Sequence, residues 1–232
     1  MTRFSKCVFV CALTAVLGFV ASVRGQTHAP TLDSVLGHLD ESAKDFHSLS
    51  ANMERTTVTV VVNDRSTQDG TLLVRGDKML LQMNPPDSRT ILRNGDTIYI
   101  YTPGLHRVEE INLSKNRDLA DEFLRLGFGT SGKELQKGFE IKLAGENKIG
   151  DKNDVELDLT PRDAGVSSQF SKIQLWLDQS TWLPDQQQLT ETGGDYLTIR
   201  YTKMVKNPPI SDNQFKSHWP KGTEHVKPQG GQ

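Results

Sequence analysis

The chain has 232 residues, 35 % hydrophobic and 24 % charged, with a formal net charge of −2 and a mean hydropathy of −0.49. This is the composition of a water-soluble globular protein, which excludes disordered and fibrous classes. Basic and acidic residues nearly cancel and only 7 % are aromatic, so neither a basic nucleic-acid footprint nor a row of stacking rings is available.

At the N-terminus, Arg3 and Lys6 precede an apolar run from Cys7 to Val20, followed by Ala21, Ser22, Val23, Arg24 and Gly25. A basic start, an apolar middle shorter than a bilayer span and a small-residue end predict a secretory signal peptide over 1–25, cleaved after Gly25. A single domain is expected over 26–232. Neither Cys7 nor Cys11 follows the small residue that a lipid-attachment site requires. Both lie in the apolar run, so the processed chain contains no thiol for a disulfide, a nucleophile or a metal. Processing removes Arg3, Lys6 and Arg24 and no acid, which moves the net charge from −2 to −5.

From Thr31 to Phe46, apolar residues at Leu32, Val35, Leu36, Leu39, Ala43 and Phe46 form one stripe of an amphipathic helix, with Thr31 as N-cap and Asp33 in the first turn. After Leu49 the period changes to two. Strands are predicted over 49–63, 66–75, 77–84, 87–94, 96–102 and 105–112, separated by Asn63-Asp64, Gly76-Asp77, Pro85-Pro86, Asn94-Gly95-Asp96 and Pro103-Gly104. Residues 116–128 interrupt the pattern as a short helix or apolar loop closed by Gly127 and Gly129. Five more strands are expected over 138–147, 152–160, 169–178, 182–192 and 195–206.

About eleven short antiparallel strands cannot stay flat and curl into a sandwich or barrel. Pattern alone predicts a mainly β (α+β) class in which the N-terminal helix lies on the concave face of the curled sheet and holds it open around an apolar hollow. No nucleophile elbow, zinc-protease helix, phosphate loop or dinucleotide fingerprint occurs. Glu109 and Glu110 point to opposite faces of a strand and cannot share a site. Asp121-Glu122 reads as solvated surface charge. The sequence therefore predicts no enzyme, cofactor or metal.

Three stretches together resemble the LolA-like family of periplasmic lipoprotein carriers. They are 39–49 (Leu-Asp-Glu-Ser-Ala-Lys-Asp-Phe-His-Ser-Leu), Gly70 to Tyr101 with its Asn94-Gly95-Asp96 turn, and the end with Ile210-Ser211-Asp212, Phe215, Pro220, Gly222 and Val226. Leu159-Thr160-Pro161 matches a strand end of the same family. The resemblance covers the processed chain, and it implies an open, strongly curved antiparallel half-barrel of about eleven strands, with the N-terminal helix and a short lid helix covering the concave apolar face.

It further implies that acylated lipoproteins are carried from an inner-membrane lipoprotein-releasing ABC transporter to an outer-membrane acceptor, in the periplasm, by a monomer without nucleic-acid partners. Arg75 matches the family's basic residue that latches the lid, although Gly76, Met79 and Leu81 depart from the proline and large aromatics usual there. Candidate acyl-cavity residues are Leu36, Leu39, Met79, Leu81, Met83, Ile98 and Ile100, and candidate lid residues are Leu119, Phe123 and Phe128. Flexible unbranched side chains suit a ligand without fixed shape. A carrier of free lipid or glycolipid, and a lipoprotein-sensing regulatory module of the same fold, are the alternatives.

Overall fold

A computed structural model describes residues 29–113 and 126–227. The expected signal peptide therefore lies outside the described residues, as do Leu119, Phe123 and Asp121-Glu122. Among the described residues no helix is long and apolar enough to cross a membrane.

The predicted N-terminal helix is α1, Leu32–Lys44. Thr31 caps it reciprocally: the Ser34 amide donates to the Thr31 hydroxyl and the Thr31 amide to the Ser34 hydroxyl, which satisfies two amides that the first turn leaves free. The strands are β1 (Ser48–Thr59), β2 (Asp64–Arg75), β3 (Lys78–Met83), β4 (Arg89–Asn94), β5 (Thr97–Thr102), β6 (Arg107–Asn112), β7 (Phe139–Ile149), β8 (Lys152–Pro161), β9 (Phe170–Asp178), β10 (Pro184–Glu191), β11 (Tyr196–Lys206) and β12 (Glu224–Val226). They form one sheet in the order β12-β6-β5-β4-β3-β2-β1-β11-β10-β9-β8-β7. The predicted open, curved half-barrel is observed.

Three hairpins share one turn chemistry. Gly76-Asp77, Gly95-Asp96 and Gly150-Asp151 each bridge two paired strands, with the glycine at φ of +57°, +61° and +63°. A left-handed residue at the first central position suits the twist of the flanking strands. The Asn94-Gly95 signal thus marks a real turn, but its centre is Gly95-Asp96, and Asn94 pairs with Thr97.

Three expectations need correction. The first strand, predicted to reach Asn63, ends at Thr59, because Asn63 turns left-handed at φ +50°. Val60, Val61 and Val62 form an exposed hairpin tip instead. A second helix, α2 (Gly132–Gly138), stands between the 116–128 segment and the strand expected from 138, where no element was predicted. The sheet also has a twelfth strand, and β12 runs parallel to β6, so the sheet is not wholly antiparallel.

Register sorts the side chains onto two faces. On the inner face, Val35, Leu36 and Leu39 of α1 pack with Val155, Leu157, Leu159, Ile173, Leu175 and Leu189, joined by Leu126, Leu135 of α2 and Phe139. α2 approaches α1 at Gly132, where an added Cβ would lie 2.6 Å from the Leu36 carbonyl oxygen. The middle of the same face is a second cluster of Leu49, Ala51, Met53, Leu72, Val74, Met79, Met83 and Tyr201, covered by Phe128 and Leu183.

The outer face of β2 to β5 is also apolar, and it is covered by the crossover from β11 to β12. Ile210, Phe215 and Trp219 lie on Leu73, Leu80, Leu92 and Tyr99. Asn207 starts that crossover; its side chain donates to the Asp45 carbonyl and accepts from the His47 and Ser48 amides.

Candidate functional site: the inner face and its open end

Alternation along β3 puts Met79, Leu81 and Met83 on one face, and the ladders carry that face across the sheet. Leu81 stands opposite Ile91, which stands opposite Ile100, while Met79, Arg93 and Ile98 form the neighbouring row. Arg93 is buried, 1 % exposed, and its Nε donates to the Gly95 carbonyl. This face therefore carries a cationic side chain among flexible apolar ones.

Toward the tip of the β1–β2 hairpin the inner face opens into a cleft of about 740 Å³. Its walls are Arg55 and Thr57 of β1, Ser66 and Gln68 of β2, Met83, Arg89 and Thr102, with Pro85, Pro86, Asp87 and Leu105 on the rim. The size falls within the roughly 300–1,000 Å³ of small-ligand sites. The Gln68 Nε2 group pins the rim by donating to the carbonyls of Asn84 and Asp87.

The segment after residue 125 is anchored inside the curve. Gln187 Nε2 donates to the buried Leu126 carbonyl, and the Tyr201 hydroxyl donates to Gln187 Oε1. Burial pushes the Tyr201 hydroxyl well above its ordinary pKa, so it remains a donor. Phe128, 2 % exposed, meets the Tyr201 ring edge-on at 4.9 Å. Gly127 and Gly129 flank it at φ +80° and +67°. At Gly129 a Cβ would collide with the Phe46 ring at 2.3 Å.

A family model described as an uncharacterized "-like" protein matches residues 75–208. The outer-membrane lipoprotein carrier protein of Cupriavidus necator is 28 % identical over 163 residues, covering 69 % of this chain and 71 % of that protein. The chain belongs to the LolA-like family. Among solved structures, an uncharacterized conserved protein of Thermus thermophilus superposes with a TM-score of 0.56 at 8 % identity, over 85 % of this chain and 99 % of that one; it shares the fold. A LolA-superfamily protein of Nitrosomonas europaea has a TM-score of 0.42 at 17 % identity, over 82 % of this chain and 99 % of that one.

In this LolA-like chain the candidate residues separate into groups. Leu36 and Leu39 are sealed in the cluster under α1. Met79, Leu81 and Met83 belong to the middle cluster, and Met83 also lines the cleft. Ile98 and Ile100 lie half-buried on the same face. Phe128 is fixed against Tyr201.

Arg75, matched to a lid latch, holds the outer crossover among the described residues. It donates to the Ile210 carbonyl and to Asp212 and lies over the Phe215 ring. Its register explains the placement, since Val74 faces inward and Arg75 shares the opposite face with Leu73. Asp212 is held below the ordinary carboxylate range by Lys78 and Arg75.

The other carboxylates sit apart. Glu109 pairs with Arg107, and Glu110 lies 2.8 Å from His225 Nδ1. A buried cluster unforeseen in the sequence gathers Asp154, Asp178 and Asp185 around Lys152. Burial pushes Asp154 up to about 6, assisted by Asp185 and Asp178 against the Ile149 amide. Burial also acts on Asp178, but the Ser180 hydroxyl and amide and Lys152 outweigh it and hold that carboxyl below its usual value.

Proposed function

We propose that this protein is a periplasmic carrier that takes up the acyl chains of lipoproteins against the inner face of its half-barrel and ferries them from the inner to the outer membrane. The observation that carries this reading is the apolar row of β3 to β5 running into an open cleft on the inside of a curved sheet. Water opposes exposure of an acyl chain by about 0.8 kcal/mol per CH₂. A long chain therefore crosses an aqueous compartment only under apolar cover.

In this reading Met79, Leu81, Met83, Ile98 and Ile100 face the chain, and Leu119, Phe123 and Phe128 form its cover. Leu36 and Leu39 support the wall from α1, and Arg75 fixes the end of β2 from the outer face through the crossover. Kinship with the outer-membrane lipoprotein carrier protein of Cupriavidus necator supports acylated lipoproteins as cargo. A lipoprotein-releasing ABC transporter at the inner membrane and an acceptor at the outer membrane are the partners such a route requires, and the carrier acts as a monomer.

The test is incubation of the purified protein with a triacylated lipoprotein in detergent-free buffer, followed by native mass spectrometry. A soluble one-to-one complex with the acylated form, and none with the same protein lacking its acyl chains, is expected. Equal behaviour of both forms overturns the reading.

A further inference from the structure

The cleft at the open end of the inner face carries two guanidinium groups, from Arg55 on β1 and Arg89 on β4. Neither makes a hydrogen bond or ion pair with any described residue, although other exposed or half-buried arginines do so, Arg75 with Asp212 and Arg107 with Glu109 among them. The Nε of Arg55 is closed off from solvent and has no hydrogen-bond partner. Asp87 lies on the same rim, yet its contribution to the loop is the backbone carbonyl that accepts from Gln68.

Two like charges that share a half-enclosed site repel each other. Burial, followed by the charge of Arg89, lowers the pKa of Arg55 from its ordinary value, although arginine stays protonated at any physiological pH. A fold gains nothing from leaving a buried guanidinium donor unsatisfied. Apolar side chains adjoin the pair: Met83 behind it, and Pro85, Pro86 and Leu105 around the mouth. A planar donor fork beside flexible apolar surface matches an anion joined to hydrocarbon, because guanidinium binds phosphate oxygens in pairs.

We propose that the Arg55–Arg89 cleft is a binding site for the phosphate headgroup of an acylated ligand, whose chains lie along the inner face. The proposal goes beyond the carrier reading above: the acylated cysteine of a lipoprotein carries no phosphate, so the ligand inferred here is an anionic phospholipid taken up on the same inner face. One arginine alone would be an ordinary surface charge; two converging across β2 and β3 make the mouth selective for anions.

The experiment uses short-chain lipids that stay monomeric in water, titrated into the purified protein by calorimetry. Dihexanoyl phosphatidic acid is compared with dihexanoyl phosphatidylcholine, and inorganic phosphate forms a third arm. The anionic lipid is expected to bind at least tenfold more tightly than the zwitterionic one. Arg55→Gln and Arg89→Gln should each reduce that ratio at least fivefold. Arg65→Gln, an exposed arginine on β2 outside the cleft, should preserve it. Thermal unfolding of each variant verifies that the fold is intact.

If wild type binds both lipids equally, the headgroup site is overturned while the carrier reading stands. If neither lipid binds, the carrier reading stands on its lipoprotein test and phosphate alone decides what the cleft holds. Phosphate binding that Arg55→Gln abolishes then assigns the cleft to a water-soluble anion, and its absence overturns the site.

Discussion

The guanidinium carbon of Arg75 lies 5.4 Å from the centroid of the Phe215 ring, which joins the end of β2 to the crossover between β11 and β12. The same side chain donates to the Ile210 carbonyl, so it satisfies backbone and covers apolar surface at once. Arg75→Leu is expected to lower stability by about 1–2 kcal/mol through loss of that bond and the ring contact. The largely exposed Asp212 partner adds little. Urea unfolding measures the loss. Hydrogen exchange should accelerate over 210–226 while α1 keeps its protection; uniform acceleration would contradict a role confined to the crossover.

Asp154 supplies a pH signature. Its folded value of about 6 lies above the ordinary 3.8, so the folded state holds the proton more tightly than the unfolded one. The stabilisation linked to this group is complete below about pH 4 and is lost as pH rises through about 6. Asp154→Asn keeps an oxygen for the Ile149 amide and removes the charge. It should be more stable than wild type at pH 7.5 by on the order of 1–3 kcal/mol, with the difference fading toward pH 4. Chemical denaturation across this range checks it, and a constant difference would show that the charge is not the cause.

The close approach of α2 to α1 predicts an unusual glycine result. Gly→Ala inside a helix ordinarily stabilises by up to about 1 kcal/mol, and Gly37, with nothing within 4 Å of an added Cβ, should follow that rule. Gly132→Ala should instead destabilise by about 1–3 kcal/mol, because the methyl meets backbone of Leu36 that cannot step aside. Paired thermal melts distinguish the two. Equal shifts would mean that the helices are not in contact at Gly132.

Much of this architecture was legible because its signals are local. The α1 stripe and its Thr31 cap lie within sixteen residues, and each Gly-Asp turn announces itself in two. α2 carries a readable sign as well, the Ser131–Glu134 capping box, but its short span showed little apolar periodicity. β12 has three residues, too few for alternation to register. The cleft was not legible at all. Arg55 and Arg89 are separated by two intervening strands, and only the curvature of the sheet brings them together. Arg75 stands out in the sequence as a basic residue at a strand end, yet which element it holds depends on the face that register gives it.

The central claim is that hydrocarbon lies against the inner face, and photo-crosslinking tests it most directly. A triacylated lipopeptide with a diazirine in its acyl chain would be bound to the purified protein, irradiated and mapped by mass spectrometry. The account predicts adducts on Met83, Ile98, Ile100 and Leu105, lost in competition with unlabelled lipopeptide. Adducts confined to the outer face, around Leu73, Leu80 and Trp219, or no competition at any position, would contradict it.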